Sequence, residues 1–332
     1  MTRRRPSSAP STPQRGAALL LAMIGLTLVA TTAAGMVWQQ SRAIQIEAAE
    51  RARAQAGWML NSGIDFAREV VRRYGNSDPR SEQPWDHQLA ETRLSALLAA
   101  DRDNNADAAL EAFISGRIND AQSRYNLRNL MAPAPAKPED DKELKTLQRL
   151  CEAIGLTGTA DVLAADLRLA WGAAGSAGTE STSSAAIAPG RIDQLRWLGL
   201  DAATITRLAD FATVLPDPTP ININTAPAEV IFAVIDGLDM ASATRLVRQR
   251  HNRFQDLPQV AALLAEQLKP RLDAQRVAVK SSFFEVSATV RYEDRAITDA
   301  ALLQRGLGGG NEVTVVRRER RPQALGTTPG GA

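Results

Sequence analysis

Arg15-Gly-Ala-Ala-Leu-Leu-Leu-Ala-Met-Ile-Gly-Leu-Thr-Leu-Val-Ala-Thr-Thr-Ala-Ala-Gly-Met-Val-Trp38 carries one charge, at its first residue, and is apolar or small from Ala17 onward. About 20 such residues, rising ~1.5 Å each in a helix, cross the hydrocarbon core of a bilayer. The residues before it hold Arg3, Arg4, Arg5 and Arg15 and no acid. That asymmetry predicts a cytoplasmic N-terminus, with the rest of the chain on the other side of a membrane it crosses once. Three fates are open for the segment. It could be a secretory signal cut near Ala33-Ala34, although its apolar run is long for one. It could be a plain anchor. Or it could stay on the mature protein after a short leader is removed at Gly16.

Outward from this segment, no proline occurs between Arg42 and Tyr74, and good helix formers dominate. Ala52, Ala56, Met59, Gly63, Phe66, Val70 and Tyr74 recur at spacings of three and four, which predicts one apolar stripe on a continuing helix. Gly75-Asn76 supplies a stop. Within the apolar run, Gly25, Ala30, Ala33, Ala34 and Gly35 permit close helix approach.

Strand patterns lie further along. Phe113 to Leu130 reads as a short hairpin or meander turning at Asn119-Asp120. Strict alternation marks Phe284, Val286, Ala288, Val290 and Tyr292 as one face of a half-buried strand. A turn at Glu293-Asp294 leads to a strand around 296–303, and Val313 to Val316 forms another. Gly306 to Asn311 is a loop and lacks the context of a phosphate loop. Residues from Pro322 on read as disordered. Between these regions, Met131 to Asp141 holds three prolines and reads as a linker. Helical spacing follows at Leu144, Leu147, Leu150 and Ile154 and at Val162, Leu163 and Leu167. Gly172 to Gly190 reads as a flexible loop, and helical segments resume from Arg191 to Leu215.

Gly16 directly after a basic residue, ahead of an apolar run, resembles the processing site of type IV pilins and pseudopilins. The resemblance implies cleavage after Gly16 by a prepilin peptidase, leaving Ala17 as an N-terminus open to methylation. That family usually has glutamate at the fifth mature position. Here the position is Leu21, and no acid precedes Glu47. The minor pseudopilin K of type II secretion systems lacks that glutamate. Its aromatic-Asn-Leu-x-Asn-Leu motif is matched by Tyr125, Asn126, Leu127, Asn129 and Leu130. Its Asn-x-Asn-Thr-Ala motif is matched by Asn222, Asn224, Thr225 and Ala226. The chain is therefore similar to pseudopilin K from leader to final meander.

The resemblance implies an α+β fold, with a pilin-like antiparallel β domain interrupted by a large helical insertion. The expected parts are a leader at 1–16, a transmembrane helix at 17–41, an amphipathic helix and first part of the β domain at 42–130, the insertion at 131–280, the final meander at 281–320 and a tail at 321–332. It also implies a tip position in the pseudopilus, initiating its assembly and limiting its growth, with the minor pseudopilins I, J and H and the major pseudopilin as partners. Leu21 fits the tip physically. A glutamate there neutralises the buried amino terminus of a subunit above, and nothing stands above a tip subunit.

Residues 221–265 also resemble a helix-hairpin-helix module. Thr225 is placed to cap a helix, Pro227 suits its first turn, and Glu229 favours its positive end. With Arg245, Arg248, Arg250 and Arg253 nearby, a membrane-anchored DNA-binding or uptake protein is the alternative function. Asp236 and Asp239 at the hairpin oppose it, and no nucleic acid is expected.

Formal net charge is +2, and removing the four arginines of residues 1–16 makes it −2, so the basic character is partly a targeting feature. Cys151 is the only cysteine, which excludes an internal disulfide and suggests a small core residue. The two histidines, His87 and His251, stand in no hydrolase or zinc pattern, so no enzyme activity and no required cofactor are expected. Asp101, Asp103 and Asp107 place oxygens at alternate positions, as calcium loops do. Ala106 and Ala112 break the EF-hand pattern, and the Ca2+-binding of pseudopilin K members raises the ion's prior without choosing these residues.

Overall fold

The computed structural model describes residues 15–74, 83–86, 88–93, 112–131, 141–175, 187–292, 295–306 and 312–324. The chain divides into two compact units, Met1–Trp58 and Met59–Ala332. Helix α1 (Arg15–Tyr74) begins in the first and ends in the second.

In the first unit the helix is long and apolar enough to cross a membrane. Leu19, Leu21, Ile24, Leu28 and Trp38 are all exposed. Its threonines suit an apolar surround, because Thr27, Thr31 and Thr32 donate to backbone carbonyls three or four residues back. The Arg42 guanidinium lies 5.5 Å from the centre of the Trp38 ring, a pairing suited to a membrane interface.

In the second unit the last turns of α1 bury Leu60, Ile64, Ala67 and Val71. The expected stripe is therefore rotated. Ala56 and Val70 of that stripe are buried, but Phe66 is 68% exposed. The helix carries two neighbouring apolar rows, and close packing selects the one with smaller side chains. A Cβ at Gly63 would stand 3.2 Å from Ala288 Cβ and 3.8 Å from Ile114 Cδ1, so this face lies almost directly on the sheet.

Among the described residues the sheet has five antiparallel strands in the order β1 (Gln88–Arg93), β2 (Ala112–Asp120), β7 (Phe283–Tyr292), β8 (Arg295–Arg305) and β9 (Val313–Ala324). The described residues between β2 and β7 (121–131, 141–175 and 187–282) are largely helical. Their elements are β3 (Tyr125–Asn126), α2 (Lys142–Ala153), α3 (Thr159–Gly175), α4 (Ala202–Ala209), β4 (Ala212–Thr213), β5 (Ile221–Asn222), α5 (Ala228–Val234), α6 (Met240–Gln249), α7 (Leu257–Ala262) and β6 (Val277–Ala278), joined in places by short 3-10 turns. The α2, α4, α6 and α7 helices each start with an aspartate, Asp141, Asp201, Asp239 and Asp256, whose carboxylate accepts an amide of the first turn. One core, from Tyr125 and Leu130 through Leu163 and Val230 to Val277, holds the insertion together.

Three further expectations change here, and one strand has no counterpart in the sequence reading. Residues 113–130 are not a hairpin. β2 runs straight to Asp120, with Asn119 and Asp120 paired to Glu285 and Phe284, and a 3-10 turn at 121–123 follows. Asp120 extends the inward phase of Ile114 and Ile118, so it is a buried strand residue rather than a turn residue. The 191–215 region is only partly helical, with a 3-10 turn at 192–198, the short α4, and β4. Order continues beyond Pro322, because β9 pairs with β8 as far as Ala324. A proline is tolerated there because β9 is an edge strand. Finally, β1 gave no strand signal, since its residues are nearly all exposed. The Gly75-Asn76 stop lies outside the described residues.

Candidate functional site

The chain leaves the sheet at Asp120 and returns to it at Phe283, and both crossings meet in one buried seam. At its centre is the Asp120 carboxylate. It accepts from Thr225 Oγ1 at 2.5 Å, Ser281 Oγ at 2.7 Å, Asn222 Nδ2 at 2.8 Å and the Gln122 amide at 2.9 Å. Burial pushes the Asp120 pKa above the usual carboxylate value, with these hydrogen bonds pulling partly back. Next to it, Gln122 Nε2 donates to Pro220 O, and Gln122 Oε1 accepts from the amides of Ser282 and Phe283.

The residues of the two sequence motifs gather around this seam. Asn126 Nδ2 donates to Asp217 O at 2.8 Å and to Thr219 Oγ1 at 3.0 Å, while its Oδ1 accepts from the amides of Arg128 and Leu215. Asn129 exchanges two hydrogen bonds with the backbone of Thr219. Asn224 does the same with Phe254 and donates also to Val279 O. Tyr125 is buried and donates to Glu143 Oε2 at 2.8 Å, and Glu143 is ion-paired with Arg276. Burial and then the Glu143 charge raise the Tyr125 pKa well above its ordinary value. Leu127, Leu130 and Ala226 are fully buried. Each asparagine satisfies loop backbone that cannot form a ladder, the condition for burying such loops.

Thr225 caps no helix. Its hydroxyl is spent on Asp120, and Pro227 stands at the N-cap of α5 with no side-chain cap. Glu229 does sit in the first turn. The α5–α6 hairpin turns at Gly237, with φ +77°. Its geometry works against phosphate binding. Asp239 fills the N-terminus of α6, accepting from Ser242 N at 2.7 Å. Arg149 binds Ile235 O and Leu238 O, and Asp236 lies beside Arg149 and Arg271. Of the arginines proposed for DNA, Arg250 is half-buried and donates to Ile223 O and Ala226 O, Arg245 donates to Ser242 Oγ, and Arg248 is exposed.

His251 is exposed, and His87 lies outside the described residues. Asp101, Asp103 and Asp107 lie outside them too, and among the described residues no three His, Cys, Asp or Glu side chains group as metal ligands. Cys151 is buried, with its thiol pushed up to about 11, chiefly by desolvation. Gly16 and Ala17 lie in the first turns of α1, and Leu21 is exposed on it. Asp120, Gln122 and Ser281 were missed from sequence. The available signal for Asp120 was its place in the inward phase of β2.

A family model for type II secretion system protein K matches residues 221–280. Type II secretion system protein K of Pseudomonas aeruginosa is 27% identical over 92% of both chains. That of Dickeya chrysanthemi is 27% identical over 92% of this chain and 96% of its own. The chain is thus similar to type II secretion system protein K over most of its length. A solved structure from enterotoxigenic Escherichia coli, the GspK-GspI-GspJ complex, includes a chain with the same fold. The TM-score is 0.61 at 19% identity, covering 82% of this chain and 98% of that one. The stretch matched by the protein K family model contains Asn222, Asn224, Thr225 and the α5–α6 hairpin, and ends one residue before Ser281. The family pattern thus falls on the return half of the seam, and the Tyr125–Leu130 motif meets it from the outgoing half.

Proposed function

We propose that this chain is a protein K, a minor pseudopilin at the tip of the type II secretion pseudopilus, where it initiates assembly and limits growth. Cleavage after Gly16 by the prepilin peptidase leaves Ala17 at the N-terminus, in an inner-membrane helix with the sheet and insertion in the periplasm. The partners are pseudopilins I and J, then H and the major pseudopilin. The likeness to the GspK chain of a GspK-GspI-GspJ complex supports I and J.

The tip position rests on Leu21. A subunit inside a filament must neutralise the amino terminus above it, and α1 offers no acid before Glu47. An uncompensated charge in an apolar bundle costs several kcal/mol, on the order of the penalty for any buried unpaired ion. The insertion adds bulk that no further subunit needs to accommodate. The DNA-binding alternative loses its mechanism, because Asp239 already occupies the hairpin-side helix end. Gold-labelling an epitope at the C-terminus and imaging sheared pseudopili tests the placement. One particle per filament, at an end, is expected, and particles along the shaft contradict it.

A further inference from the structure

Between the sheet and the insertion lies an open cleft of about 1350 Å³. Its walls carry Arg117 from β2, Arg248 from α6 and Arg250 from the turn that follows. Among the described residues, Arg117 and Arg248 are exposed and form no ion pair. Arg250 is bound only by the carbonyls of Ile223 and Ala226, and desolvation alone lowers its pKa, with no carboxylate contributing. Among the described residues these three charges thus have no carboxylate partner, and they come from β2, α6 and the turn after α6. Two of the cleft's own carboxylates are already engaged: Asp120 is saturated by the seam, and Glu285 is paired with Arg124 at 2.5 Å. Among the described residues five arginines line it against the three acids Asp120, Asp210 and Glu285.

The geometry points to a docking site for an acidic, extended segment of a partner protein, laid in this cleft with its carboxylates on Arg117, Arg248 and Arg250. Guanidinium groups match carboxylates in bidentate geometry. A peptide fits better than a nucleic-acid strand for two reasons. Asp210 and Glu285 interrupt the positive wall and would repel an unbroken row of phosphates, whereas a peptide can space its acids around them. The hairpin loop at 235–239, which supplies phosphate-binding amides in nucleic-acid modules, is not part of the cleft wall. This docking site does not depend on the tip placement or on Leu21.

The test is fluorescence anisotropy on the full chain in detergent micelles, with a labelled 12-residue Glu-Ala peptide as probe. A Lys-Ala peptide and a 12-base-pair DNA duplex serve as competitors. The Glu-Ala peptide should bind, weaken as salt rises, and lose about tenfold or more in affinity with Arg117→Glu/Arg248→Glu. Arg117→Gln/Arg248→Gln should also weaken it, with an unchanged urea midpoint. Arg196→Glu, a change at an exposed arginine outside the cleft, should leave it intact. Unchanged affinity in both double variants overturns the site. So does failure of the peptide to bind wild type at low salt, or a duplex that binds more tightly and is lost with the same substitutions. Any of these leaves the gold-labelling test of the pseudopilin reading unaffected.

Discussion

Thr225 Oγ1 donates to the carboxylate of Asp120 at 2.5 Å across 105 positions of sequence. The bond joins the last residue of β2 to the loop that starts the hairpin, and Ser281, two residues before the returning strand β7, shares the same carboxylate. Three chain segments that are distant in sequence therefore depend on one buried acid. Replacing it by asparagine keeps the volume but substitutes an amide donor for one acceptor oxygen. Asp120→Asn should cost about 1–3 kcal/mol, because buried hydroxyl donors lose their partner. A urea titration of the full chain in detergent, followed by tryptophan fluorescence, measures it.

The pH dependence of that acid has a definite sign. Its folded pKa lies above the ordinary 3.8, so the folded state holds the proton longer than the unfolded one. Its contribution to stability is full below 3.8 and declines as pH rises through the raised value. Asp299 behaves oppositely. Burial pushes it up, but hydrogen bonds from Arg320 and Arg318 outweigh this and lower its pKa. Its contribution is present above 3.8 and is lost as pH falls through the lowered value. Urea midpoints of Asp120→Asn and wild type should therefore diverge less at about pH 7 than at about pH 4, while Asp299→Asn should differ most from wild type near neutrality.

Asn126 offers a test of the first motif. It satisfies four groups in loop backbone and side chain, at Asp217, Thr219, Arg128 and Leu215. Asn126→Ala should lower stability by roughly 2 kcal/mol or more, since buried amide and carbonyl groups are orphaned together. Hydrogen exchange should show the Leu215 amide among those losing most protection. Retained protection there would mean water has replaced the side chain.

Gly63 sets how closely α1 approaches the sheet. A Cβ at this position would stand 3.2 Å from Ala288 Cβ, so alanine is a tight fit and leucine cannot enter without movement. Gly63→Leu should destabilise by about 1–3 kcal/mol through overpacking. Gly25→Leu and Gly35→Leu, at positions with nothing within 4 Å, should leave the stability of the isolated chain unchanged.

The thiol of Cys151 reports opening of the insertion. Burial and a pKa of about 11 keep it protonated and inaccessible. Reaction with a thiol reagent at about pH 8 should be slow in the native chain and rise sharply in urea, in step with the loss of fluorescence signal. Prompt native-state labelling would contradict the buried core placed around it.

The most legible parts of this protein were those with a period. The apolar run of α1 and the alternation from Phe284 to Tyr292 need only local spacing, and both are read correctly without structure. Where two apolar rows adjoin, spacing does not choose between them, so the stripe through Phe66 reads as well as the row of Ile64 and Ala67 that is in fact buried. The strand β1 shows no alternation because it is exposed on both faces. The two-residue pairs β3–β4 and β5–β6 are held by neighbours more than 50 residues away, and no local signal marks them. The seam was half legible. Asn222 and Thr225 stand in a legible motif, but their shared acceptor, Asp120, reads as a turn residue until its partners are placed around it.

The central claim is that this chain assembles as a minor pseudopilin with I and J. Its most direct test is affinity purification of the tagged full chain from its own membranes after mild detergent extraction, with mass spectrometry of everything that elutes. Pseudopilins I and J should co-elute in near-equal amount, and the chain itself should start at Ala17. Elution of the chain alone, uncut at Gly16 and accompanied by neither pseudopilin, would contradict the account.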